Sequence, residues 1–184
     1  NLLKHFGIEK KSQAHHQHNE HLTVQHIASR IANGENIALV TDAGTPGISD
    51  PGFLLVKTCI EQGIEVETLP GATALIPALV NSGFPLDRFV FEGFLPHKKG
   101  RQTRWKTIAE EERTTVLYES PHRLQKALEQ IIEFIGPDRQ IMVARELSKM
   151  HEQMVRGSAA EVLLYFDQNP DKIRGEIVIV IAGK

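Results

Sequence analysis

The stretch NIALVTDAGTPGISDPG, residues 36–52, sets the reading of the whole chain. Residues 37–40 are a short apolar run of the kind that forms a strand buried on both faces. Thr41 and Asp42 end it, and a loop dense in Gly and Pro follows. Asp50-Pro51 has the chemistry of a helix start, with Asp as N-cap and Pro in the first helical position. Strand, Gly-rich loop and helix N-terminus together build small-molecule sites in open α/β sheets. Gly44 and Gly47 let backbone come close to a ligand, so the loop offers peptide N–H and C=O groups rather than long side chains. Residues 42–52 are long for a plain strand-to-helix connection. A binding loop is the better reading.

Working outward, 184 residues make one large domain or two small ones, and either buries an adequate core. Hydrophobic content of 41% and charged content of 24% are globular values. A net charge of −2 and a pI near 6.5 exclude a global basic field for nucleic acid, so a polyanion has to be met by a local patch. No apolar run has membrane-spanning length and no signal peptide is visible, which reads as a cytoplasmic protein. The single cysteine, Cys59, lies among Leu54, Leu55, Val56 and Ile60 and reads as a buried small hydrophobe.

Upstream of the loop, residues 1–7 read as the end of a helix stopped by Gly7. Residues 12–21 hold a histidine cluster, in which His16 and His18, or His18 and His21, share a face. A structural zinc site wants four ligands and no second cluster supplies them, so no metal is expected. A helix runs to Ala32 with Val24, Ile27, Ala28 and Ile31 as its apolar stripe. Downstream, a helix over 51–62 leads to a strand over 66–69. Pro70-Gly71-Ala72-Thr73 then turns into a helix that Gly83 closes. Strand–helix alternation implies parallel pairing with right-handed crossovers. Gly71–Ala74 makes a second ligand corner, where the Thr73 hydroxyl suits a helix cap or a ligand polar group.

Residues 84–87 read as a linker, dividing the chain into domains over 1–86 and 87–184. In the second half, strands are expected over 89–94, 115–118, 141–144 and 177–181. Helices follow Ser120-Pro121 and Ser158, the latter with Glu161 as a capping box. Residues 95–106 are the concentrated basic stretch: Lys98, Lys99, Arg101, Arg104 and Lys106 suit phosphates, and Trp105 suits stacking on a base. Two polar groups each directly follow an apolar strand, where site residues collect in α/β folds. They are Glu119 to Arg123, and Arg145-Glu146 with Lys149, His151 and Glu152.

The runs DAGTPGISDPG, LPGATAL, DRFVFEGFLP, YESPHRL and ARELSKMHE, in that order, resemble the ribosomal RNA small subunit methyltransferase I family, part of the tetrapyrrole methylase-like superfamily of S-adenosylmethionine enzymes. The resemblance runs from about Leu2 to Gly183. It implies an α/β fold of two α/β domains with the cofactor in the cleft between them. It implies 2′-O-methylation of a cytidine ribose in small-subunit (16S) ribosomal RNA, and a homodimer. Carried over position by position, S-adenosylmethionine would touch Ala43, Gly44, Thr45, Ile48, Thr73 and Ala74, with Glu119 and Leu147 from the second domain. Family members begin with a further strand and Pro/Gly-rich loop, which this chain, starting at Asn1, is expected to lack.

Within that resemblance, a 2′-hydroxyl is a poor nucleophile and needs an acceptor or base nearby. Glu119, Glu146 and His122 are the candidates. Arg123, Arg145 and Lys149 would join Lys98, Lys99, Arg101 and Arg104 in holding phosphates. The alternatives are a porphyrinoid methyltransferase on the same fold and a non-catalytic RNA-binding module. The absence of a Gly-x-Gly-x-x-Gly fingerprint makes nicotinamide chemistry a poor fit.

Overall fold

The computed structural model describes residues 2–16 and 19–184. His18, one member of the histidine cluster, lies outside them. The chain divides into two compact units, Asn1–Ala72 and Thr73–Lys184.

The first unit holds helices α1 (Leu2–His5), α2 (Glu20–Ala32) and α3 (Phe53–Glu61). α2 and α3 pack through Val24, Ile27, Leu55 and Cys59. Burial pushes the Cys59 thiol above its ordinary pKa, as a small hydrophobe's surroundings should. The sheet expected here is absent among the described residues. No backbone–backbone hydrogen bond involves residues 36–41 or 65–69 among the described residues, and Val40 and Leu69 are 74% and 73% exposed. An apolar run becomes a strand only when a neighbour's N–H and C=O groups complete a ladder, and no such partner is paired with either run.

The start of α3 also differs from expectation. Its cap is Gly52, with φ of 142°, and the capping oxygen comes from another helix. Glu20 Oε1 accepts from Gly52 N at 3.0 Å and Leu54 N at 3.2 Å. A carboxylate at a helix N-terminus satisfies orphan donors and complements the dipole, so Asp50 is not needed as the cap.

The second unit is a five-stranded sheet in the order β1-β2-β5-β3-β4. The strands are β1 (Phe89–Phe94), β2 (Thr114–Glu119), β3 (Gln140–Arg145), β4 (Gln153–Ser158) and β5 (Ile177–Ile181). Only β1 and β2 are parallel; β5 runs antiparallel to both β2 and β3, and β4 to β3. Side chains alternate between faces along a strand, which makes two cores. On one face Leu117, Ile141, Val143, Ile177 and Ile179 meet α5 (Arg101–Glu110), α6 (Leu124–Phe134) and α7 (Ala159–Gln168). On the other, Val116, Met142, Ala144, Val178 and Val180 meet α4 (Leu75–Ser82).

Local signals are followed closely here. The expected Ser158–Glu161 capping box opens α7, and Gly83 closes α4 with φ of 76°. Ser120 caps a 3-10 turn, Pro121–Arg123, which leads into α6. β4 has no counterpart in the sequence reading; it is a half-buried edge strand with little apolar alternation. No helix is long and apolar enough to cross a membrane among the described residues.

Candidate functional site

In the first unit the loop after residue 41 is built from left-handed backbone: Gly44 has φ of 77°, Gly47 of 83° and Ser49 of 60°. The first two are conformations glycine adopts without penalty. Thr41 Oγ1 donates to Ala43 O at 2.7 Å, Ile48 N to Thr45 O at 3.2 Å, and Thr45 Oγ1 to Ala72 O at 3.0 Å. The last bond ties the loop to the second corner. Ala43, Gly44 and Ile48 are exposed and Thr45 half-buried.

In the second unit the candidates separate by face. Thr73 and Ala74 lead into α4, with Ala74 at its N-cap. Ala74 and Leu147 pack against the α4-side core, and Thr73 Oγ1 lies 3.5 Å from Tyr118 Oη. Glu119, one residue on from Tyr118, points to the opposite face. Glu119, Ile177, Arg145 and Gln153 form one cross-strand row at the same end of the sheet.

Glu119 is 2% exposed. Its carboxylate accepts from Arg101 Nη2 at 3.1 Å and Ser120 N at 2.8 Å, and forms an ion pair with Arg123 Nη2 at 2.6 Å. Arg101 is 5% exposed, and its Nε donates to Gln130 Oε1 at 2.7 Å. Trp105 is wholly buried and donates to the same oxygen at 3.0 Å. Arg101 is thus a support of Glu119 rather than a surface cation, and Trp105 has no face free for a base. Arg123 Nη1 also donates to Leu95 O at 3.3 Å. Arg145 is buried, with Nε donating to Gln153 Oε1 at 2.9 Å. Lys98, Lys99 and His122 are exposed, and Arg104 Nε stands 3.8 Å from Glu92.

Glu146 sits at φ of 51° just past β3. Its Oε1 accepts from Glu176 N at 2.9 Å and from Lys149 Nζ at 3.0 Å. A Cβ at Gly175 would collide with this carboxylate, so the glycine makes room for it. The Glu176 N–H, then Lys149, hold the Glu146 carboxyl below its ordinary value of 4.5, and Glu146 raises Lys149 in turn. A depressed carboxyl stabilises the fold above its unfolded pKa and loses that contribution as pH falls through the folded value. Wild type should therefore exceed Glu146→Gln in urea midpoint at neutral pH, and the gap should close below the ordinary carboxylate range. An equal gap at both pH values would remove the charge from the account.

Among the described residues no three His, Cys, Asp or Glu side chains stand close enough to share a metal ion. His15 packs its Nδ1 3.2 Å from Thr23 Oγ1 and its Nε2 3.7 Å from Glu20. Sequence reasoning did not single out Glu20, Tyr118 or Phe94. Tyr118 alternates with Glu119 on a strand whose far side was not yet defined.

The fold is that of known methyltransferases. Cobalt precorrin-4 methyltransferase, a cobalamin biosynthetic enzyme, superimposes with a TM-score of 0.64 at 17% identity, over 95% of this chain and 74% of that one. Uroporphyrin-III C-methyl transferase from Thermus thermophilus, complexed with S-adenosyl homocysteine, gives 0.58 at 16% identity over 89% and 73%. The sequence profile of the Tetrapyrrole (Corrin/Porphyrin) Methylases matches residues 2–163, and the chain belongs to that family.

Nearer relatives carry a more particular name. Ribosomal RNA small subunit methyltransferase I of Synechocystis is 51% identical over 99% of this chain and 65% of its own length. That of Escherichia coli O157:H7 is 45% identical over 99% and 64%. That of Thermotoga maritima is 41% identical over the whole chain and 81% of its own length. The chain thus spans just under two thirds of the first two of these relatives.

Proposed function

We propose that this chain is part of an S-adenosylmethionine-dependent methyltransferase that modifies the 2′-oxygen of a cytidine ribose in small-subunit ribosomal RNA. The observation that carries the reading is identity of 41–51% along essentially the whole chain to proteins named ribosomal RNA small subunit methyltransferase I. S-adenosylmethionine supplies, when bound, an activated methyl group on a sulfonium. The chain's own contribution is to hold and align. Backbone of Ala43, Gly44, Thr45 and Ile48, with Thr73, Ala74 and Leu147, would hold the cofactor. Glu119 would act by fixing Arg101 and Arg123, given its burial between them. Exposed Lys98 and Lys99, with Arg104, would meet RNA phosphates, whose release of counterions makes such binding salt-dependent. Arg123, Arg145 and Lys149 would line the same end of the second unit. Glu146 and the exposed His122 are the groups nearest in kind to a hydrogen-bond acceptor for the ribose hydroxyl. A cytoplasmic location and a homodimer belong to the same proposal.

The test is transfer of labelled methyl from S-adenosylmethionine to small ribosomal subunits lacking the modification, using the chain with the flanking segments its relatives carry. Label on a cytidine ribose is expected. Label on a porphyrinoid instead, with none on RNA, would turn the assignment to the other branch of the family.

A further inference from the structure

The pairing of β1 with β2 slips between Phe91 and Gly93: Phe91 lies opposite Val116, Gly93 opposite Leu117 and Phe94 opposite Tyr118. In a regular strand residues 91 and 94, three apart, face opposite sides of the sheet. The extra residue at Glu92 is a bulge, and bulges re-aim side chains at sheet edges. Here it turns Phe94 onto the α4 face beside Phe91 and Tyr118. The Phe91 and Tyr118 rings pack edge-on at 5.1 Å, and Phe94 and Tyr118 at 5.6 Å.

Two of these three rings are half-buried. Phe91 and Tyr118 pack against the core beneath α4, which lies over β2, β5 and β3. Phe94, at the end of edge strand β1, is 52% exposed. Tyr118 braces it from behind and carries its own hydroxyl to Thr73. Four and five residues on, Lys98 and Lys99 are exposed and have no acidic partner among the described residues. A braced, open aromatic ring with free cations close by in the chain is the combination that binds single-stranded nucleic acid, through base stacking and phosphate attraction. Trp105, the aromatic residue inside the basic stretch, cannot serve, since it is buried.

We infer that Phe94 is the platform on which an unpaired base of the substrate RNA stacks, beside the Tyr118 and Thr73 hydroxyls. This rests on the RNA reading above. It concerns how the substrate nucleotide is held rather than which reaction follows.

Wild type, Phe94→Ala and Phe94→Leu are compared for binding a single-stranded, cytidine-containing oligoribonucleotide of small-subunit ribosomal RNA sequence, with Phe94→Trp and Lys98→Ala/Lys99→Ala as controls. Each is also titrated with the same backbone carrying abasic residues. Loss of one stacked base should weaken Phe94→Ala about tenfold, with Phe94→Leu also impaired, because it restores apolar bulk without a π face. On the abasic strand all three should bind alike. Phe94→Trp should bind like wild type and show emission quenched by the normal strand, against a constant signal from buried Trp105. Equal binding by wild type and both truncations, with Lys98→Ala/Lys99→Ala still weakened, overturns the platform and leaves the RNA reading standing. No RNA binding by any form, wild type included, overturns both.

Discussion

Glu119→Ala is expected to destabilise the second unit by about 3–5 kcal/mol, a large share of an ordinary domain's stability. The reason is what it leaves behind. Arg101 and Arg123 both close on this carboxylate, and Arg101 has only 6% of its side chain exposed. Removing the acid strands a guanidinium in a site water barely reaches, and an unpaired buried charge is far costlier than the pair was favourable. Glu119→Gln keeps the shape and an accepting oxygen, so it should fall between wild type and alanine. The double variant Glu119→Leu/Arg101→Met removes both charges and should recover much of the loss. Urea denaturation followed by circular dichroism measures all three. If alanine at 119 left the midpoint unchanged while abolishing methyl transfer, Glu119 would be a chemical group after all and not a structural one.

The second large effect is expected at Trp105. Trp105→Ala should cost about 3–5 kcal/mol, since it empties an aromatic volume from a fully packed core. Its effect spreads further than the cavity. The indole N–H and Arg101 Nε share Gln130 Oε1, and Arg101 Cζ lies 5.7 Å from the ring centroid. Truncating the ring therefore loosens Arg101, which holds Glu119, and the two substitutions should be less than additive when combined. Trp105→Phe keeps most of the volume and loses one hydrogen bond, so it should be milder by several-fold. Its RNA affinity should equal wild type. A thermal melt with a parallel RNA titration checks both statements, and a stable Trp105→Phe that no longer bound RNA would place the indole at the substrate.

The same residue shows where sequence reading reached and where it stopped. Four of the five strands were legible because continuous apolar runs bounded by turn residues have few alternatives in 89–94, 115–118, 141–144 and 177–181. β4 was not, since QMVRGS is an edge strand whose outer side need not be apolar. Runs 37–40 and 66–69 look as apolar as real strands, yet strand formation is a property of pairs, and a single segment carries no record of its partner. The capping box at Ser158 was visible because both members lie within one turn; the cap at Gly52 was not, because its carboxylate sits 32 residues away in Glu20. For the candidate site, the sequence showed that Glu119 and Arg145 each end an apolar strand, and the pairing puts them in one row through Ile177. The sequence could not say that Arg101 and Trp105 turn inward, because a basic helix with one tryptophan has the same composition whichever face packs. Nor could it show the bulge at Glu92, which alone determines which side of the sheet Phe94 serves.

The position of β5 has a consequence for how the chain is made. It is the last strand in sequence and the middle one in space. The β1-β2 and β3-β4 pairs share no ladder with each other; every hydrogen bond that joins them into one sheet passes through Ile177–Ile181. During synthesis the facing edges of β2 and β3 therefore stay unpaired and apolar until Ile177–Ile181, the strand that fits between them, has also been made. Such edges are templates for pairing with other chains, and connections this distant in sequence form slowly. The nascent chain is most exposed to aggregation in the interval between the emergence of β3 and that of β5.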